Sequence, residues 1–153
     1  MWYYSFCLNL PNLCMQLFLC KLYQYSNILS HFDLLFQECS FNKLHDNTAL
    51  RVSYQGNVRV YSNNKCNRWY FKFNGSECSG PLPIDSVVYT NWAGGISNVL
   101  RSHFFEGYCE NLARGTVSVE LLVGRCPGES LGNAYTGWKS VSRIVIEEVP
   151  PSQ

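Results

Sequence analysis

From Thr48 onward, apolar side chains recur at every second position, the spacing of a strand with one buried and one wet face. Leu50, Val52 and Tyr54 alternate with Arg51 and Ser53, and Val58 and Val60 alternate with Asn57 and Arg59. Gln55-Gly56 between these runs predicts a turn, and so a hairpin. Trp69, Phe71 and Phe73 alternate with Tyr70 and Lys72 and end at Asn74-Gly75, a dipeptide suited to a tight turn with positive φ. Pro81 and Pro83 interrupt pairing before a run over 84–90, where Val87 and Val88 carry β-branched bulk. Residues 97–105 form a weaker strand. In 116–123, Val117, Val119, Leu121 and Val123 share a face, and Leu122 on the other face suggests cover on both sides. The last strand spans 142–149, with Ile144 and Ile146 on one face, and Pro150-Pro151 ends it. About eight short strands at this spacing, without a helix of convincing period, predict an all-β sandwich or barrel.

Bulk properties narrow the function classes. A chain of 153 residues holds one domain of ordinary size. Twelve basic against eleven acidic side chains leave a net charge of +1, which argues against nucleic acid as a partner. With 15% aromatic residues the chain is not disordered. It has no dinucleotide-binding glycine fingerprint, Walker loop or helical repeat.

Charge is unevenly spread. Residues 1–36 carry only Lys21 and Asp33, so a boundary is expected near Gln37: 1–36 as a leader or non-domain segment, 37–153 as the globular domain. A secretory signal would open on a basic region, and a spanning helix would not tolerate Asn9, Pro11, Asn12 and Gln16. The segment thus reads as a poorly formed leader or a gene-model artefact, with an atypical signal or anchor and a structural helix as the alternatives.

Cys39, Cys66, Cys78, Cys109 and Cys126 are dispersed among the strands. No C-x-x-C pair and no histidine at finger spacing accompanies them, so metal ligation is disfavoured. They read as a disulfide frame formed in an oxidising compartment. Five is odd, so one is free, bridges to another chain, or pairs with Cys7, Cys14 or Cys20 of the first segment. Asn74-Gly75-Ser76 is a glycan acceptor on what is also an exposed turn.

Catalytic constellations fail on their context. Gly128-Glu129-Ser130-Leu131-Gly132 fits G-x-S-x-G after a strong strand. The residues after it, 133–137, read as a loop rather than a helix, and His31, His45 and His103 all precede Ser130 where that fold needs a later histidine. His103 with Cys109 as base and nucleophile competes with a disulfide role for Cys109. His45-Asp46 reads as a solvated loop pair. Glu147 and Glu148, adjacent on a strand, point to opposite faces and form no dyad. No acidic loop suits calcium. No catalytic, cofactor-binding or metal-ligating residue is assigned, and no enzymatic activity or small-molecule substrate is expected.

The text itself carries a resemblance. Residues 68–84, RWYFKFNGSECSGPLPI, and 136–150, TGWKSVSRIVIEEVP, resemble the C-terminal globular domain of the collagen triple helix repeat-containing protein family. Residues 38–52, ECSFNKLHDNTALRV, and 106–126, EGYCENLARGTVSVELLVGRC, are similar to the same domain in the same order. The resemblance covers roughly 37–150, and Cys39, Cys66, Cys78, Cys109 and Cys126 match family cysteines. Further family cysteines precede the Arg-Trp-Tyr-Phe stretch, where this chain has Tyr61 and Lys65. The first segment lacks a Gly-X-Y repeat. The resemblance implies an antiparallel jelly-roll sandwich similar to complement and tumour-necrosis-factor domains. It also implies a secreted, glycosylated, non-enzymatic protein of the extracellular matrix or cell surface that engages Wnt ligands and Frizzled-type receptors. A homotrimer is expected, with Leu122, Val145 and tyrosines available for its interface. The alternative is a secreted carbohydrate-binding sandwich using Trp92 or Trp138 to stack on sugars.

Overall fold

The computed structural model describes residues 2–7, 14–22, 34–91, 94–137 and 140–150, with side chains from Gln37 on apart from those of Ser97 and Val99. Among these residues the regular structure is all strand: β1 (Trp2–Cys7), β2 (Cys14–Leu22), β3 (Leu34–Lys43), β4 (Ala49–Ser62), β5 (Lys65–Phe73), β6 (Ser76–Glu77), β7 (Asp85–Thr90), β8 (Ser97–Cys109), β9 (Gly115–Arg125), β10 (Asn133–Thr136) and β11 (Ser142–Val149).

Every pairing is antiparallel, and the strands divide into two sheets. The first runs β1-β2-β11-β4, with β8 along the far edge of β4 and β10 continuing the line of β11. The second runs β3-β9-β5, with β7 and β6 sharing the far edge of β5. Leaving aside β1, β6 and β10, the remaining strands numbered in chain order lie 1-8-3-6 and 2-7-4-5, the order of a jelly roll. Gln37, where charge density changes, lies within β3, and β2 is hydrogen-bonded to β11 from Ser142↔Leu22 to Glu147↔Leu17.

The period of two sorts residues between core and outside as its phase dictates. Leu50, Val52, Tyr54, Val58 and Val60 of β4 meet Trp69, Phe71 and Phe73 of β5, Val117, Val119, Leu121 and Val123 of β9, and Ile144 and Ile146 of β11 in one buried cluster. The indole Nε1 of Trp69 donates to Thr136 Oγ1 at 2.9 Å, so the largest core side chain buries no unpaired donor.

Two local expectations are corrected. The hairpin at Gln55-Gly56 does not form: β4 runs unbroken through it, and β8 pairs with it from Leu50↔Cys109 to Ser62↔Ser97. The inward phase carries straight across from Tyr54 through Gly56 to Val58. Glycine is there for space: a Cβ at Gly56 would lie 2.1 Å from Ser142 Oγ and 2.6 Å from the Tyr54 hydroxyl. Those two hydroxyls share a 3.1 Å hydrogen bond where β10 gives way to β11. Residues 133–136, expected as loop, form β10, whose short run of ladder bonds to residues 58–61 of β4 is stabilised by burial of Ala134, Tyr135 and Thr136. At Asn74-Gly75 the turn forms as expected: both residues have positive φ (50° and 82°) and Phe73 pairs with Ser76.

Candidate interaction surface

The two flanks of the sandwich differ in how their polar groups are used. On the flank of β3, β4 and β11, Glu148 is buried at the end of its strand. Its carboxylate accepts from Leu44 N and His45 N, each at 2.8 Å, and from Thr48 Oγ1 at 2.5 Å, satisfying the backbone where β3 turns towards β4. Lys43 is buried beside it and donates to the His45 carbonyl; burial lowers its pKa, against the opposing pull of Glu148 and Asp46. On the outer face of the second sheet, Arg68 binds Glu77 at 2.6 Å and Asp85 at 2.5 Å and lies 4.5 Å over the Tyr70 ring. The hydrogen bond from Arg68 holds Glu77 below the usual carboxylate range.

The opposite flank is open. Each sheet ends there on an edge strand, β7 in one and β8 in the other. The outward phase of β8 exposes Leu100 (41%), Phe104 (60%) and Tyr108 (46%), with Tyr61 (40%) beside them on β4. Two arginines frame this stripe. Arg51 holds Glu106 at 2.7 Å and Glu147 at 3.1 Å, and Arg59 donates to Asn98 at 2.6 Å while covering the rings of Tyr61 and Tyr135. Large apolar side chains repeated along one exposed edge strand, with charges at their margins, have the composition of a protein interface.

Between β7 and β8 the sheets part around a cleft of about 470 Å³. Val58, Val60 and Val88 line it, with Thr90, Arg101 and His103. His103 Nε2 lies 2.7 Å from Ser86 Oγ, a bond that ties the edge of one sheet to the edge of the other. Burial lowers the pKa of this imidazole.

A family model described as CTHRC1, C-terminal domain, matches residues 20–146. The chain belongs to this family. CTHRC1 C-terminal domains are not a known enzyme family, and the family is one of secreted extracellular proteins. The match begins within β2, ahead of the charge boundary at Gln37. Two solved structures are also similar, each 10% identical: infectious bursal disease virus Gt strain (TM-score 0.41, 95% of this chain and 42% of that chain) and the infectious bursal disease virus VP2 subviral particle (TM-score 0.39, 98% and 42%). The chain thus spans less than half the length of either one.

Within this CTHRC1-type domain the cysteines divide their work. Cys66–Cys126 joins the start of β5 to the residue after β9, neighbours in one sheet. Cys78–Cys109 ties the loop after β6 to the end of β8 and so links the two sheets. Cys39 is also disulfide-bonded, with its partner outside the described side chains, and no described cysteine is free. Cys109 is therefore no nucleophile for His103. Asn74 is exposed; its Oδ1 accepts from Ser118 N at 2.9 Å. Ser130 is exposed and bonded to Lys65 Nζ at 2.6 Å, with no histidine on it. His45 and Asp46 are exposed, and Asp46 accepts from Arg114 N at 2.7 Å. Glu147 and Glu148 do point apart, one to Arg51 and one into the β3–β4 corner. Trp92 and Trp138 lie outside the described residues.

Leu122, expected to serve an interface, is buried opposite Tyr70 on the outer face of its own sheet, while Val145 is half-buried. Exposed apolar residues instead line β8 at Leu100, Phe104 and Tyr108, with others at Tyr61, Leu82, Val87, Tyr89, Ile96 and Val141. Sequence reasoning missed the β8 stripe because Phe104 and Phe105 are adjacent aromatics, and only the register with β4 shows which one faces inward. No group of three or more metal-ligating side chains converges among the described residues.

Proposed function

We propose that this chain is a non-enzymatic binding and signalling module of the extracellular matrix or cell surface, which assembles as a homotrimer and presents its sites to Wnt ligands and Frizzled-type receptors. The exposed stripe of Leu100, Phe104 and Tyr108 on β8 carries the reading, since it gives each copy an apolar face that a second copy can cover. Family membership and the disulfides support secretion. In a trimer, three weak receptor sites act together, and avidity exceeds the affinity of any one of them. A glycan on Asn74 would stand on the Asn74-Gly75 turn between β5 and β6, on the sheet that lacks β8, clear of the β8 stripe.

Light scattering on the secreted, oxidised protein tests the assembly, with binding to an immobilised Frizzled-type ectodomain measured in parallel. The expected mass is three chains, reduced to one by Phe104→Lys together with Tyr108→Lys, with receptor binding falling by about a hundredfold as avidity is lost. A monomeric mass for the unaltered chain at micromolar concentration would remove the trimer, and unaltered receptor binding in the double variant would separate recognition from assembly.

A further inference from the structure

We infer that the trimer closes head to tail, the outer face of β8 in one copy packing on the outer face of β7 in the next. The inference rests on the trimer reading and adds the second half of its contact.

Symmetry supplies the first step. A patch that packs against itself does so across a twofold axis and stops at two copies, so a closed ring of three needs two different surfaces on each chain. The stripe of Leu100, Phe104 and Tyr108 is one of them. The other is on β7, where Val87 and Tyr89 are 54% and 53% exposed. They pair with Arg68 and Cys66, on the phase of β5 opposite to Trp69, so both stand on the outer face of the second sheet. Leu82, Ile96 and Val141 are exposed singly, outside any strand.

Position supplies the second step. β7 and β8 border the same flank, and their edges are tied there by the 2.7 Å bond between Ser86 and His103. Their exposed residues lie on opposite outer faces of the sandwich. With this flank turned to a threefold axis, each copy shows β8 to one neighbour and β7 to the other.

Charge argues for a second copy as the occupant. Among the described side chains, the outer face of the first sheet carries Arg51, Arg59 and Arg143 against Glu106 and Glu147, a net +1. Register puts Arg143 in one row with Gln55 and Phe104. The outer face of the second sheet carries Glu38, Glu77, Asp85 and Glu120 against Arg68 and Lys72, a net −2. Glu38 lies directly opposite Glu120, and like charges so placed repel. Stacking the first-sheet face of one copy on the second-sheet face of the next brings opposite charges around the apolar contact, whereas stacking like on like does not.

Two blocked chains test the pairing by sedimentation of the secreted, oxidised protein: Val87→Lys with Tyr89→Lys, and Phe104→Lys with Tyr108→Lys. Each alone should fall from three chains to one, with its thermal midpoint retained because the changed side chains are exposed. Mixed in equal amounts, each supplies the surface that the other lacks, so a two-chain mass should form and grow no further. It should need a concentration about a hundredfold above that for the trimer, because a single contact lacks ring closure. In the otherwise unaltered chain, a photoreactive phenylalanine analogue in place of Tyr89 should cross-link to residues 97–109 of an isotopically distinct copy. A β7-blocked chain that remains trimeric, a mixture that remains monomeric, or a cross-link to residues 87–89 of the other copy would each overturn the pairing and leave the trimer standing. Loss of binding to the Frizzled-type ectodomain by a β7-blocked chain that stays trimeric would assign Val87 and Tyr89 to the receptor instead. A single-chain mass for the unaltered protein would remove the trimer and this contact with it.

Discussion

The flank closed by β3, β4 and β11 and the flank left open between β7 and β8 follow the same alternation of residues, yet they end differently. At the closed corner a buried carboxylate takes three hydrogen bonds, and among the described residues no buried side-chain polar atom there lacks a partner. At the open flank the alternation places a cation inward, and the outward phase exposes large apolar side chains. The contrast teaches where this fold keeps stability and where it keeps surface for others. Residues that complete hydrogen bonds inside the chain hold it together, and residues that leave them incomplete are available to a partner.

Substitutions that break the comparison should separate by size. Trp69→Ala removes the largest buried side chain and its bond to Thr136, and should cost about 4 kcal/mol in denaturant unfolding. Glu148→Ala leaves Leu44 N and His45 N without their acceptor and Lys43 without its nearby anion, and should cost about 3 kcal/mol by the same measurement. Gly56→Ala forces a methyl group onto Ser142 and Tyr54, so a loss of about 2 kcal/mol is expected. A loss below 0.5 kcal/mol would show that the β10–β11 junction yields easily.

The last two changes sharpen the contrast from the open side. Burial depresses the pKa of His103 from its ordinary 6.5. As pH falls, the unfolded chain binds that proton first, so stability is full above about pH 6.5 and declines below it. Thermal midpoints at about pH 7.5 and 5.5 should therefore differ, and the difference should shrink in His103→Gln; an unchanged gap would mean that other groups carry it. Phe104→Ser, finally, should move stability by less than about 0.5 kcal/mol while altering the mass in solution, since the side chain is 60% exposed. A large stability loss there would place Phe104 in the core instead.

Much of the fold was legible because burial follows parity. Trp69, Phe71 and Phe73, and Val117, Val119, Leu121 and Val123, enter the core on the phase that their spacing dictates. The Asn74-Gly75 turn was legible because few residues adopt positive φ at consecutive positions. Gly56 misled because a glycine after a polar residue suits either a turn or a close approach, and the deciding neighbour, Ser142, is far away in sequence. The candidate surface was less legible still. β8 reads as a weak strand, and Arg101 and His103 acquire meaning only from the strand opposite.

Composition and alternation alone determined that this chain builds antiparallel sheets with a crowded aromatic core, and its longer motifs marked the family, because side-chain parity and local turn chemistry are properties of neighbouring residues. Which edges stay open, which cysteines meet, and which of two adjacent phenylalanines faces solvent were decided by tertiary structure. Those outcomes depend on pairings between residues tens of positions apart, and no local rule specifies them.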